Sequence, residues 1–91
     1  MATLYPGGDE PPRLVHPTQG QRFTLEELHQ LVCFELEFYH QLPGKVLVFD
    51  EEGVMKRLPP NRAFHADYGL PIVGMLVGPI LVLDPIEMPE E

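Results

Sequence analysis

The chain has 91 residues and a formal net charge of −8, from 6 basic and 14 acidic side chains. This length suits one small domain, residues 1–91. The acidic balance argues against direct binding to nucleic acid or to an anionic membrane, since both need a basic protein surface.

Several features of the sequence favour a cytoplasmic protein. Cys33 is the single cysteine, so no intramolecular disulfide can form, which is typical of a reducing compartment. The first residues lack the basic and apolar regions of a signal peptide. The longest apolar run, residues 70–83, contains two prolines and is too short to span a bilayer.

Abundant proline and a single asparagine are typical of thermophilic proteins, although a GC-rich genome would give the same bias.

Residues 1–22 are predicted to form either an N-terminal β-hairpin or a frayed arm. In the hairpin, Ala2–Tyr5 would pair with Arg13–His16. The residues between these two segments are rich in proline and glycine, which favours a turn.

The main helix is predicted at about residues 24–33. Thr24 occupies the N-cap position and Glu27, three residues later, completes a capping box. Phe23 and Leu28 have the spacing of a hydrophobic staple. The helix face that we expect to be buried comprises Leu25, Leu28, Leu31 and Val32.

Two strands are predicted after the main helix. Phe34–Tyr39 alternates apolar and acidic side chains, which indicates a half-exposed strand with Phe34 on the same face as Leu36 and Phe38. Val46–Phe49 is a run of β-branched and apolar residues, which indicates a buried strand.

A β-hairpin is predicted at the centre of the chain. Its turn is Asp50–Gly53, in which the glycine takes the left-handed conformation that glycine adopts freely. Val54–Met55 would begin the return strand. Pro59–Pro60 cannot donate hydrogen bonds to a sheet and would end that strand.

A short helix is predicted at about residues 61–68, with Asn61 as its N-cap and Gly69 at its C-terminal end. The apolar segment Ile72–Leu83 indicates one or two interior strands, and residues 84–91 indicate a loose acidic tail. The expected fold is therefore α+β, with a sheet of about five antiparallel or mixed strands and the main helix packed on one face.

Half of the basic side chains lie in one short stretch, as Lys56, Arg57 and Arg62. Together with Asn61 and the free backbone N–H groups of a helix start, they could bind a phosphate or a carboxylate. Alternatively, Lys56 and Arg57 pair with neighbouring acids, Arg62 packs over a turn, and Asn61 serves only as a helix cap.

No pattern in the sequence predicts a catalytic residue, a cofactor or a metal site. The three adjacent acids Asp50–Glu52 lack a second cluster at suitable spacing and indicate a solvated turn. His29 and Cys33 are four residues apart on the predicted helix but supply only two metal ligands. We expect a structural role for Cys33, because the C-terminal end of a helix raises the pKa of a thiol. The chain has no serine nucleophile and no glycine-rich phosphate loop.

Three segments of the chain carry distinctive motifs. The first is Phe23–Leu28, which contains Thr-Leu-Glu-Glu-Leu and is followed by Leu31–Val32. The second is Lys45–Gly53, which contains Asp-Glu-Glu-Gly. The third is Leu58–Arg62, Leu-Pro-Pro-Asn-Arg, which is followed by Ile72–Gly74. Their order and spacing resemble a small uncharacterised domain-of-unknown-function family of bacteriophages and other mobile elements, over roughly residues 23–83. The resemblance implies a small α+β domain of phage or mobile-element origin, and it implies no activity. Members of that family tend to carry glycines where this chain has Cys33–Phe34, so we expect a different exit from the main helix.

We expect a non-enzymatic binding protein that acts on a host protein through its acidic surface. Two alternatives remain open: a protein that binds or sequesters a small nucleotide-like anion, and an unrecognised enzyme. The anion would bind at Lys56, Arg57, Asn61 and Arg62. Homo-oligomerisation also remains open, because a small sheet has edges to cover.

Overall fold

A five-stranded sheet and two helices form the fold of the computed structural model, which describes residues 2–40, 42–69 and 76–89. The strands are β1 (Ala2–Tyr5), β2 (Arg13–Val15), β3 (Leu36–Tyr39), β4 (Val46–Asp50) and β5 (Ile80–Leu83), and the helices are α1 (Leu25–Leu31) and α2 (Arg62–Tyr68). The predicted α+β class is confirmed. Neither of these two described helices has the length and apolar character needed to cross a membrane.

The sheet has the strand order β2-β1-β5-β4-β3, and every neighbouring pair is antiparallel. The predicted N-terminal hairpin is confirmed, with Thr3 opposite Leu14. β5 lies at the centre of the sheet, and all of its side chains are buried. A strand that is covered on both faces needs successive apolar residues, which explains why Ile80–Leu83 does not alternate. Residues 72–75 of the predicted apolar strand lie outside the described residues.

Each face of the sheet packs against one helix. Successive side chains of a strand point to opposite faces. Leu81 therefore packs in the same core as Leu28 of α1, and Ile80 packs in a second core with Phe64 of α2. The predicted packing of the main helix on one face is confirmed, and the short helix covers part of the other face.

The capping box of α1 is confirmed, but the prediction for one of its leucines is wrong. Thr24 Oγ1 accepts a hydrogen bond from Glu27 N–H at 3.1 Å, and Glu27 Oε1 accepts one from Thr24 N–H at 2.8 Å. Leu28 is fully buried, whereas Leu25 is 51% exposed. Phe23 and Leu28 fill the core at this end of the helix, so the side chain of Leu25 remains outside it.

The return strand predicted at Val54–Met55 is wrong. β4 has β5 on one side and β3 on the other, so neither side of it remains for a return strand. Residues 51–57 instead form turns, and Leu58 N–H donates to Gly53 O at 3.1 Å. Gly53 does not adopt the predicted left-handed conformation. Glycine is needed there because a Cβ would lie 2.7 Å from Val77 Cγ2.

The segment after β5 is packed rather than loose over residues 84–89, which corrects that part of the predicted tail. Pro85–Glu87 forms a short 3-10 helix, and Glu87 is buried. Phe23 N–H donates to Glu87 O at 2.9 Å. This bond ties the segment to the loop before α1. Residues 90 and 91 lie outside the described part of the chain.

Alanine substitution of two leucines in α1 should separate its buried face from its exposed face. We expect Leu28→Ala to lower the free energy of unfolding by about 3 kcal/mol, because it opens a cavity in the core. Leu25→Ala should change this free energy by about 0.5 kcal/mol or less. Urea denaturation measures both effects, and equal losses would instead place Leu25 in the core.

Candidate functional site

Asn61, one of the four predicted site residues, is fully buried. Its Oδ1 accepts a hydrogen bond from Phe64 N–H at 3.2 Å, which confirms the predicted helix cap. Its Nδ2 donates to Tyr5 O at 3.0 Å and to Gly78 O at 2.8 Å. Both amide protons are therefore used inside the fold and are not available to a ligand.

The backbone N–H groups at the start of α2 are not free, which corrects one premise of the predicted anion site. Arg62 N–H and Ala63 N–H both donate to Gly8 O, at 2.8 and 3.2 Å. Phe64 N–H donates to the side chain of Asn61. The loop between β1 and β2 thus supplies the acceptor that a bound anion would otherwise provide.

Lys56 forms ion pairs with two neighbouring acids, Glu35 and Asp50, as the alternative interpretation predicted. Its Nζ lies 3.0 Å from Glu35 Oε1 and 3.0 Å from Asp50 Oδ2. Burial by itself would raise the pKa of Asp50, but the hydrogen bonds from Lys56 and from Glu52 N–H outweigh burial and lower that pKa. The bond to Asp50, followed by the bond to Glu35, raises the pKa of Lys56.

The two arginines of the predicted anion site are exposed. The Arg62 guanidinium lies 3.7 Å from Asp9 Oδ2, and both side chains are mostly in solvent. Arg57 is also exposed and has a positive φ of 59°. The four predicted residues therefore have separate roles, since Asn61 is structural and Lys56 is already neutralised. Anion binding stays a prediction that depends on Arg57 and Arg62.

An acidic surface with exposed apolar side chains lies where β3 begins and β4 ends. Glu51 N–H donates to Glu35 O at 2.8 Å, and Lys56 contacts the carboxylate of Glu35. The residues before β3 therefore lie against the turns after β4. Three apolar side chains of this surface are at least 75% exposed: Phe34, Val54 and Met55. We define the acidic corner as Phe34, Glu35, Glu37, Glu51, Glu52, Val54 and Met55.

Sequence reasoning misses these exposed apolar residues because it assigns them to strands. β3 begins only at Leu36, so Phe34 does not share its buried face, and the Phe34 ring centroid lies 4.7 Å from that of His29. One sequence signal could have found Val54–Met55. The pair follows Glu51-Glu52-Gly53 and precedes Lys56-Arg57, and a glycine among charged residues is typical of an exposed turn.

Cys33 lies beside two carboxylates that a lysine already contacts. The thiol of Cys33 and the carboxylates of Glu35 and Asp50 have ligand atoms within 4.8 Å of one another. The Lys56 ammonium contacts both carboxylates, so the positive charge that a metal ion would supply is already present. Burial and the Asp50 carboxylate raise the pKa of the Cys33 thiol to about 11. The predicted direction is confirmed, and its main cause is burial rather than the helix end.

Two further titratable side chains of α2 serve the fold. His65 is buried, and its Nε2 accepts a hydrogen bond from Leu76 N–H at 2.8 Å. Asp67 accepts a hydrogen bond from the Tyr5 hydroxyl at 2.6 Å. Burial and this bond raise the pKa of Tyr5. These contacts give both side chains structural partners.

Comparison with known proteins identifies a family and nothing more specific. A family model described as a domain of unknown function (DUF3846) matches residues 3–90. This span includes both helices, the acidic corner and nearly all of the sheet. Comparison with curated proteins and with solved structures found no significant match.

Replacement of Asn61 should show that its role is structural. We expect Asn61→Ala to lower the free energy of unfolding by about 3 kcal/mol, because it removes a helix cap and leaves two buried carbonyl oxygens without donors. Asn61→Asp keeps the cap acceptor but places an oxygen against the same carbonyls, so its loss should be as large or larger. The exposed Arg62→Ala is the control, with a change of about 0.5 kcal/mol or less. Urea denaturation compares the three variants, and a fully stable Asn61→Asp protein would contradict the assigned bonds.

The raised pKa of Cys33 predicts a slowly reacting thiol. At pH 8, a pKa of about 11 leaves about a hundredfold less thiolate than the ordinary value of 9.0. The alkylation rate with iodoacetamide should therefore keep rising up to about pH 11. Asp50→Asn removes a neighbouring negative charge and should raise the rate at pH 8. The unfolded protein in urea provides the reference rate, and a folded-state rate that levels off at the same pH would contradict this expectation.

Proposed function

This chain belongs to the DUF3846 family, domains of unknown function, and we propose that it is a non-enzymatic protein, encoded by a phage or mobile element, that binds a basic surface of a host protein. The acidic corner is the proposed contact surface. The resemblance of three segments to a phage and mobile-element family supports a host protein as the partner. The exposed apolar residues among acids are the observation that carries the proposal.

The composition of the acidic corner suits a protein interface. Val54 is 75% and Met55 80% exposed, and the two are adjacent in the chain. Neighbouring exposed apolar side chains, unlike scattered ones, are typical of interaction sites. Glu51 and Glu52 precede these two residues in the same turns. Protein interfaces commonly combine apolar anchors at the centre with a polar rim, and methionine is enriched in them. The corner has both parts.

The charge of the surface favours a basic partner. Both lysines are held in ion pairs, Lys56 with two acids and Lys45 with Asp84 at 2.9 Å. The remaining excess of acids gives the chain its net charge of −8. Such a field attracts a basic surface and speeds its association at low ionic strength.

Two observations support a non-enzymatic role. The polar groups that are the first candidates for chemistry have structural partners, as with Asn61 and His65. The Cys33 thiol, the one cysteine nucleophile of the chain, has a raised pKa and forms little thiolate at neutral pH. A surface that binds a partner needs neither group.

A pull-down from lysate of the host cell tests the proposal. The tagged protein should retain a host protein in dilute buffer and release it in 1 M salt, where the Debye length is about 3 Å. The double variant Val54→Ser/Met55→Ser keeps every charge but removes the apolar anchors, and we expect it to retain about tenfold less of that protein.

The matched control for this pull-down is Leu25→Ser, which changes an exposed leucine outside the acidic corner. Its capture should equal that of the unmodified protein. Equal capture by the double variant, or capture that survives 1 M salt unchanged, would overturn the role of the acidic corner.

A further inference from the structure

One edge of the sheet has backbone groups that no other described strand pairs with. β3 is the outermost strand on its side among residues 2–40, 42–69 and 76–89. In an antiparallel pair, opposite residues alternate between hydrogen-bonded and non-hydrogen-bonded positions. Glu51 N–H donates to Glu35 O, and the β3–β4 register places Leu36 opposite Asp50. The backbone hydrogen bonds from β3 to β4 are therefore made by Glu37 and Tyr39. The backbone groups of the alternate residues face the open edge.

The residues of that outward set are Leu36 and Phe38. By the same alternation, their N–H and C=O groups point away from β4. Their side chains are half-buried and pack against the core on the α1 side of the sheet. A strand placed beside β3 could therefore form a regular ladder without disturbing any bond to β4.

The opposite edge of the sheet is less suitable for an added strand. β2 has only three residues, with Pro11–Pro12 just before it and Pro17 shortly after it. Proline cannot donate to a ladder and is a common means of protecting a sheet edge. β3 has four residues, and residues 34–40 contain no proline. The open edge is thus the one that belongs to the acidic corner.

Charge selects the kind of strand that fits this edge. Glu37 is exposed on β3, whereas the carboxylate of Glu35, immediately before the strand, is already paired with Lys56. A second copy of β3 would bring like charges together, which destabilises a strand pair. Lysine or arginine opposite Glu37 would form favourable cross-strand pairs. A basic occupant therefore fits better than a second copy of this chain.

We propose that an extended basic segment of the partner protein binds along the outer edge of β3 as a sixth strand. Its basic side chains lie on the face of Glu37, and its apolar side chains lie on the face of Leu36 and Phe38. The segment thus alternates basic and apolar residues, and Phe34 is available to contact it at the start of β3. This inference rests on the proposed function, since it specifies how the partner contacts the acidic corner.

The probes are eight-residue synthetic peptides in which lysine alternates with valine, leucine or phenylalanine. Hydrogen exchange of the uniformly ¹⁵N-labelled protein, followed by NMR, should show that at least one peptide slows exchange at Leu36 and Phe38 about tenfold. The amides of Glu37 and Tyr39, which already donate to β4, should change little.

Backbone methylation of the peptide separates strand pairing from charge attraction. Two versions carry N-methyl groups on alternate residues, so that each blocks the N–H groups of one peptide edge while keeping every charge. One version should bind about tenfold more weakly, and the other should bind as the parent peptide does. In the protein, Glu37→Lys should weaken binding about tenfold. The control Glu10→Lys makes the same change of net charge in the exposed loop before β2 and should not weaken it.

Four results would overturn the inference. The first is that no peptide in the panel binds, and the second is that both methylated versions bind equally. The third is that the amides of Leu36 and Phe38 gain no protection from exchange. The fourth is that light scattering shows a dimer and that these amides are protected without peptide. If host-protein capture still depends on Val54 and Met55, the proposed function stands and only the added strand is wrong. If that capture is also independent of Val54 and Met55, the proposed function fails as well.

Discussion

The buried amide of Asn61 is the interaction on which the rest of the structure depends. It joins the start of α2 to the end of β1 through Tyr5 and to the approach to β5 through Gly78. Tyr5 is the last residue of β1 and Gly78 lies just before β5, so Asn61 supplies donors to carbonyls at two strand ends. One side chain thus fixes the position of α2 against the face that holds Phe64, and it closes the second core.

The arrangement of the sheet explains why charged side chains collect at its ends and edges. β5 and β4 form the buried centre of the sheet, and their apolar side chains pack in the two cores. Charged side chains are therefore confined to strand ends, turns and edges. Lys56 neutralises the buried Asp50, and Glu51, Glu52 and Arg57 remain as the charged side chains of the adjoining turns.

Local signals in the sequence predict much of the fold, and they fail where burial depends on distant neighbours. The capping residues Thr24 and Asn61 identify both helix starts, because a cap is satisfied within four residues. Leu25 and Val54 are misassigned, since helical or strand periodicity does not say which side of an element the rest of the chain will cover. For the candidate site, the pairing of Lys56 with nearby acids is predictable, but its bond to Glu35 spans 21 positions and depends on the β3–β4 register.

The close approach of Gly53 to Val77 limits how far the loop that follows the glycine can move. The glycine is wedged against the body of the protein, and hydrogen bonds from Lys56 N–H to Glu52 O and from Leu58 N–H to Gly53 O brace the turns that follow it. Val54 and Met55, which follow Gly53 in these turns, are therefore held in place before any partner binds. They would lose little conformational entropy on association. Encounter rather than rearrangement would then limit the rate at which this loop binds a partner.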